Sequence, residues 1–211
     1  KPRKGSVTVI GAVSPPGGDL SEPVSQATLR VVKTFWGLSS SLAYRRHFPA
    51  IDWLQSYSLY STQLAPWFEN NVSTNFAGLK AFVMNILQEE GSLLEIIRLV
   101  GADSLSSKDR LTLDAAKMVR EDFLHQNAFD PVDTYSSLKK QCKMLEVIKL
   151  YYDGCMKAIS DGIGINELLN MKAKQKIARA KYIDEAALRE FEVIKRELAG
   201  QLKALYSMGD D

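Results

Sequence analysis

Phosphate chemistry leaves a recognisable signature in a sequence, a Gly-x-x-x-x-Gly-Lys-Ser/Thr loop whose backbone N–H groups face the anion. Gly17 and Gly18 follow a β-branched run, but no Gly-Lys-Ser/Thr comes after them, so they read as a rigid surface or interface loop. Nucleophilic hydrolysis fares no better. No serine sits in a Gly-x-Ser-x-Gly elbow, and the two histidines, His47 and His125, lie far apart and form no evident triad. Cys142 and Cys155 have no Cys-x-x-Cys companion, so a structural zinc is not expected. On one continuous helix they stand roughly 20 Å apart, beyond disulfide reach, which reads as reduced thiols. No catalytic and no metal-ligating residue is assigned.

Two features could bind rather than react. Trp36, Phe48, Trp53, Tyr57, Tyr60, Trp67 and Phe68 are dense, and an aromatic face can stack on a base, although most such residues fill a core. The stretch Lys172-Ala-Lys174-Gln-Lys176-Ile-Ala-Arg179-Ala-Lys181 is a basic helical run. It could meet an anionic partner, but a solvated helix face is the better reading.

These residues need elements to hold them. The 211 residues are 45% hydrophobic and 25% charged with a net charge of +2, which suits a folded soluble chain, excludes disorder and a disulfide scaffold, and does not argue for nucleic acid. No apolar run approaches the roughly 20 residues of a membrane span. The first residue is not methionine and a β-branched run follows almost at once, so the sequence reads as a piece of a longer one. Residues 6–13 predict a strand running into the Pro15-Pro16-Gly17-Gly18 loop, and residues 30–36 predict a second strand. A short helix is expected around Leu42, Ala43 and Tyr44, closed by His47-Phe48-Pro49, since the residue before proline avoids the helical region. Beyond residue 75 the text is helix after helix, which puts a boundary between residues 60 and 75. Leu79, Phe82, Val83, Ile86 and Leu87 form one apolar stripe, and Leu138, Cys142, Leu145, Ile148, Tyr152, Cys155 and Ile159 form another. A last helix starts from Asp184 as N-cap and carries Leu188, Phe191, Ile194, Leu198, Leu202 and Leu205. Composition and spacing end at an α/β piece followed by a helical bundle. That description also fits a non-enzymatic helical interaction module.

Three longer stretches say more. Gly5-Ser-Val-Thr-Val-Ile-Gly-Ala-Val-Ser-Pro-Pro-Gly-Gly-Asp-Leu-Ser-Glu-Pro-Val24, Arg45-Arg-His-Phe-Pro-Ala-Ile-Asp-Trp-Leu-Gln-Ser-Tyr-Ser-Leu-Tyr60 and Val119-Arg-Glu-Asp-Phe-Leu-His-Gln-Asn-Ala-Phe-Asp-Pro-Val-Asp-Thr-Tyr135 stand in the order and spacing of one family. Together they resemble the C-terminal part of the catalytic A subunit of archaeal and vacuolar-type rotary ATPases.

The resemblance implies an α+β fragment: residues 1–70 as the last strands and helices of a RecA-like nucleotide-binding core, residues 71–211 as an all-α C-terminal bundle. It implies ATP or ADP with Mg2+ as the bound species, the phosphate loop, catalytic glutamate and metal-binding strand lying upstream. This fragment alone is then expected to be inactive. By motif match, the adenine slot is formed by Phe48, Pro49 and Ala50 on one side and Gln126, Asn127, Ala128 and Phe129 on the other, the two phenylalanines stacking on the ring and the amides meeting its polar edge. Residues 101–110 match the helix-loop-helix turn that pushes on the central stalk. Here that turn is only partly acidic, with Asp103 and Asp109 beside Lys108 and Arg110. Further implied are a non-catalytic B-type subunit alternating with this one in a hexamer, its interface near the Pro-Pro-Gly-Gly loop, and a peripheral place on the cytoplasmic face of a membrane. Neither nucleic acid nor direct membrane insertion is implied.

Overall fold

A computed structural model describes residues 3–208. Near the N-terminus it departs from the expected strands. Residues 6–13 find no ladder partner among the described residues, and Val7, Val9 and Ile10 stand 85–91% exposed. A strand needs a neighbour to satisfy its backbone, and the described chain offers none there. The second expected strand starts late, because residues 30 and 31 end a helix instead. Helix α1, Pro23–Val31, is fixed at its start by Glu22, whose carboxylate accepts from the Ser25 and Val24 N–H groups at 2.6 and 3.1 Å, with Pro23 in the first turn.

Strand β1, Thr34–Leu38, pairs antiparallel with β2, Ile51–Ser58, with Phe35 opposite Tyr57 and Leu38 opposite Ile51. A bulge between Phe35 and Gly37 breaks the register. The connection between the strands holds α2, Ser40–Tyr44, capped by the Ser39 hydroxyl, followed by the turn that carries residues 45–50. The short helix expected at Leu42-Ala43-Tyr44 is therefore present.

Then come α3, Ser61–Asn71, and α4, Phe76–Val100, whose Leu79, Val83, Ile86 and Leu87 are buried as the stripe requires. The loop after α4 ends in a capping box between Ser106 and Asp109, which starts α5, Ser107–Met118. The α5 helix runs directly into a π-helical turn, Val119–Leu124. Helix α6, Leu138–Ser160, forms the centre of the bundle and buries Cys142, Leu145, Ile148, Tyr151 and Cys155. Both cysteines are free. Around α6 pack α7, Ile165–Leu169, α8, Ala173–Arg179, and α9, Glu190–Met208. Phe191 and Leu198 of α9 are completely buried, each contributing about 1.5–3 kcal/mol by leaving water. Gly154 lets α6 and α9 approach closely, because a Cβ there would run into Leu202 Cδ1. Asp184 does cap, but it accepts from Ala186 N–H at 2.8 Å and caps the short 3-10 turn Glu185–Ala187, so the last helix starts only at Glu190. No described helix is long and apolar enough to cross a membrane.

Candidate functional site

The π-helical turn leads to residues 126–129, and the turn after α2 leads to residues 48–50. One backbone hydrogen bond joins the two: Gln126 N–H donates to the Phe48 carbonyl at 2.7 Å. Residues nearly eighty positions apart thus form neighbouring walls. Ala50 C=O accepts from Ser39 N–H at 2.9 Å, which ties the first wall to the start of α2, and the Phe48–Pro49 peptide is cis.

The second wall is shaped by two aspartates. Asp133, buried, accepts the Asn127 N–H at 2.7 Å on its carboxylate and the Gln126 side-chain amide at 2.6 Å on its carbonyl. Asp130 accepts the N–H groups of Val132 and Asp133, both at 2.9 Å, and those bonds hold its carboxyl below the usual range. Asn127 Oδ1 accepts from Phe129 N–H at 3.0 Å. The amides expected to face a ligand are therefore each half committed. Gln126 keeps its side-chain carbonyl oxygen and Asn127 its side-chain NH2. Asn127, Ala128 and Pro49 are exposed, and the two rings stand open: Phe48 is 49% and Phe129 98% exposed.

Beneath both walls lies a polar framework that the spacing of the sequence did not show. His47 is buried, its Nε2 donating to the Arg120 carbonyl at 2.9 Å, the same oxygen that accepts His125 N–H. Its ring stacks on His125 at 5.1 Å between centroids and tilts against Trp53 at 5.6 Å. The Arg120 side chain reaches across to α4, its Nε 3.0 Å from both carboxylate oxygens of Glu90, while Nη1 meets Glu121 at 2.9 Å. Burial raises the Glu90 carboxyl above its ordinary value despite Arg120. Burial likewise lowers His125, helped by the positive charge of Lys181, and pushes Asp122 up to about 6. A cleft of about 60 Å3 lies between the histidines and Arg45, Arg46 and Arg120. That is space for ordered water, which needs about 10–15 Å3 of such volume per molecule.

The basic run is not a freely solvated face. Lys174 pairs with Asp114 at 2.7 Å, Lys176 pairs with Glu197, and the Lys181 ammonium donates to the carbonyls of Glu121 and His125, each at 3.1 Å. Only the adjacency of His47 to Phe48 hinted at this framework in the sequence.

Residues 65–169 match the model for the C-terminal domain of V and A type ATP synthase, and residues 1–58 match the nucleotide-binding domain of the ATP synthase alpha/beta family. These two matches define the class: an ATP synthase alpha/beta-type chain carrying the V/A-type C-terminal domain. The V-type ATP synthase alpha chain of Clostridium botulinum (strain Langeland) is 56% identical over 98% of this chain, and that of Acetivibrio thermocellus is 57% identical over 96%. The chain belongs to the V/A-type ATP synthase alpha-chain family. It spans 35% of the length of each of these relatives. Among solved structures, an ATP synthase subunit, NeqB, from Nanoarcheaum equitans is similar at a TM-score of 0.53 and 25% identity, over 63% of this chain and 31% of that one.

Proposed function

We propose that this chain is the C-terminal part of the catalytic subunit of a rotary, ion-translocating ATPase or ATP synthase, and that it supplies the adenine slot. The observation that supports this most is the Gln126 N–H to Phe48 carbonyl bond, which sets two open phenylalanine loops side by side on a framed backbone. A purine between Phe48 and Phe129 would find an acceptor in Gln126 Oε1 for its amino group and a donor in Asn127 Nδ2 for a ring nitrogen. Pro49, Ala50 and Ala128 would complete apolar walls.

On this reading residues 1–70 are the last strands and helices of a RecA-like core and residues 71–211 the C-terminal domain. The exposed Val7, Val9 and Ile10, together with Val24 and Val31 on α1, are what such a core would cover with its own further strands and helices. Residues 101–110 would face the central stalk. A non-catalytic B-type subunit would adjoin the Pro15-Pro16-Gly17-Gly18 loop. The whole assembly would sit on the cytoplasmic face of a membrane and couple ATP and water, ADP and phosphate, to ion movement. Mg2+ belongs to that reaction, but the described residues contain no cluster of three or more His, Cys, Asp or Glu that could hold it. On this reading the fragment binds and orients the base, while groups upstream handle the phosphates.

The test is titration of the complete alpha chain with an ATP analogue, comparing the parent with Phe129→Ala. Because Phe129 is 98% exposed, folding should be untouched while affinity falls. Base stacking on an aromatic contributes about 1–3 kcal/mol, so a loss of roughly 5- to 150-fold is expected. Unchanged affinity would remove the adenine assignment.

A further inference from the structure

The π-helical turn ends at Leu124 with backbone carbonyls that no helical N–H satisfies, and its C-cap, His125, immediately precedes Gln126. Lys181, in the 3-10 turn Ala180–Tyr182 after α8, brings one ammonium to two of these carbonyls, Glu121 and His125, at 3.1 Å each. Its own carbonyl accepts the Lys140 ammonium at 2.7 Å, and Lys140 is 0% exposed. The connection therefore runs from a fully buried lysine on α6, through Lys181, to the last residue before the slot wall. Burying an ammonium is costly unless it is firmly bonded, and what these two lysines hold in place is main chain.

Resting on the slot reading above, we propose that Lys181 is a positioning residue for nucleotide binding. By bracketing the exit of the π-helical turn it sets the direction in which residues 126–129 leave, and so the spacing between Phe129 and Phe48. It touches no ligand itself. Its loss leaves the phosphate-handling groups upstream in place, so base affinity falls while the chemical step does not. Uniform binding removed in this way raises KM and spares kcat.

The experiment is steady-state ATP hydrolysis by the complete alpha chain in its assembled complex, with Lys181→Met, Lys181→Arg and Phe129→Ala. We expect Lys181→Met to raise KM roughly tenfold, the scale of one charge-assisted hydrogen bond, with kcat within about twofold of the parent. Lys181→Arg, which keeps the donors, should return KM to near the parent value. If Phe129→Ala raises KM but a folded Lys181→Met does not, the brace is refuted and the slot stands. If Phe129→Ala leaves KM unchanged, the slot itself is refuted and the brace with it. Should Lys181→Met fail to assemble, Lys181→Gln, which keeps a polar but uncharged and shorter head, is read by the same KM-against-kcat split. An arginine variant as impaired as the methionine one would also overturn the donor role.

Discussion

Replacing Arg120 by methionine removes the guanidinium from between Glu90 and Glu121 while leaving the Arg120 carbonyl, and hence the His47 contact, in place. Glu90 is only 6% exposed, so its carboxylate would be left buried without its partner. Breaking a buried pair from one side costs about 3–5 kcal/mol. The Arg120 side chain is 22% exposed, so water screens part of the interaction, and about 2–4 kcal/mol is the expected loss. Burial already holds Glu90 above its ordinary value, and losing Arg120 raises it further. The folded variant then binds a proton that the unfolded chain releases, so its deficit shrinks as pH falls. Urea unfolding of the chain followed by circular dichroism, at about pH 8 and about pH 5, measures both effects. The double variant Glu90→Gln/Arg120→Met should recover at least half of the loss, because no charge is then left buried. A loss below about 1 kcal/mol, or one of equal size at both pH values, would refute this account of the framework.

Asp122, pushed up to about 6 chiefly by burial, binds its proton more tightly in the folded state than in the unfolded one. Its contribution to stability is full below pH of about 4 and is lost as pH rises through about 6. The shift corresponds to at most about 3 kcal/mol, which partial exposure reduces to about 1–2 kcal/mol. Asp122→Asn should flatten the melting temperature between those pH values and raise it above pH of about 6. A variant profile parallel to the parent's would contradict the burial argument. Gly154→Leu should cost about 1–3 kcal/mol by forcing α6 from α9 at Leu202, and Leu202→Ala in the same chain should return part of it in thermal unfolding.

Helical periodicity made the long elements legible. The stripe from Leu79 to Leu87 and that from Cys142 to Ile159 face the core as their spacing requires, because amphipathic period and burial are the same information, and only Leu138 at the first turn of α6 stands exposed among these residues. The start of the strand expected at residues 30–36 misled, because β-branched content argued for a strand from residue 30 while Glu22 and Pro23 had already started a helix whose last residues fall in that window; residues 34–36 do lie in β1. The π-helical turn could not be seen, since a one-residue widening of the helix leaves no distinct pattern in side-chain types. The lysines of the basic run were hidden for another reason. Lys181 answers main-chain oxygens some sixty positions away, and a carbonyl has the same appearance in every residue. Phe48 and Gln126 could be paired only through family resemblance, because the bond between them involves backbone atoms alone.

That last contact has a consequence for how such a site can change over generations. No side chain encodes it, so almost any residue at 48 or 126 preserves the bond, and only proline at 126 would delete the donor. The bond that joins the two walls is thus insulated from exchange of either residue's side chain, while the rings and amides mounted on the walls are free to be exchanged. A frame of this kind permits selection for what its walls present without first rebuilding the scaffold that presents it.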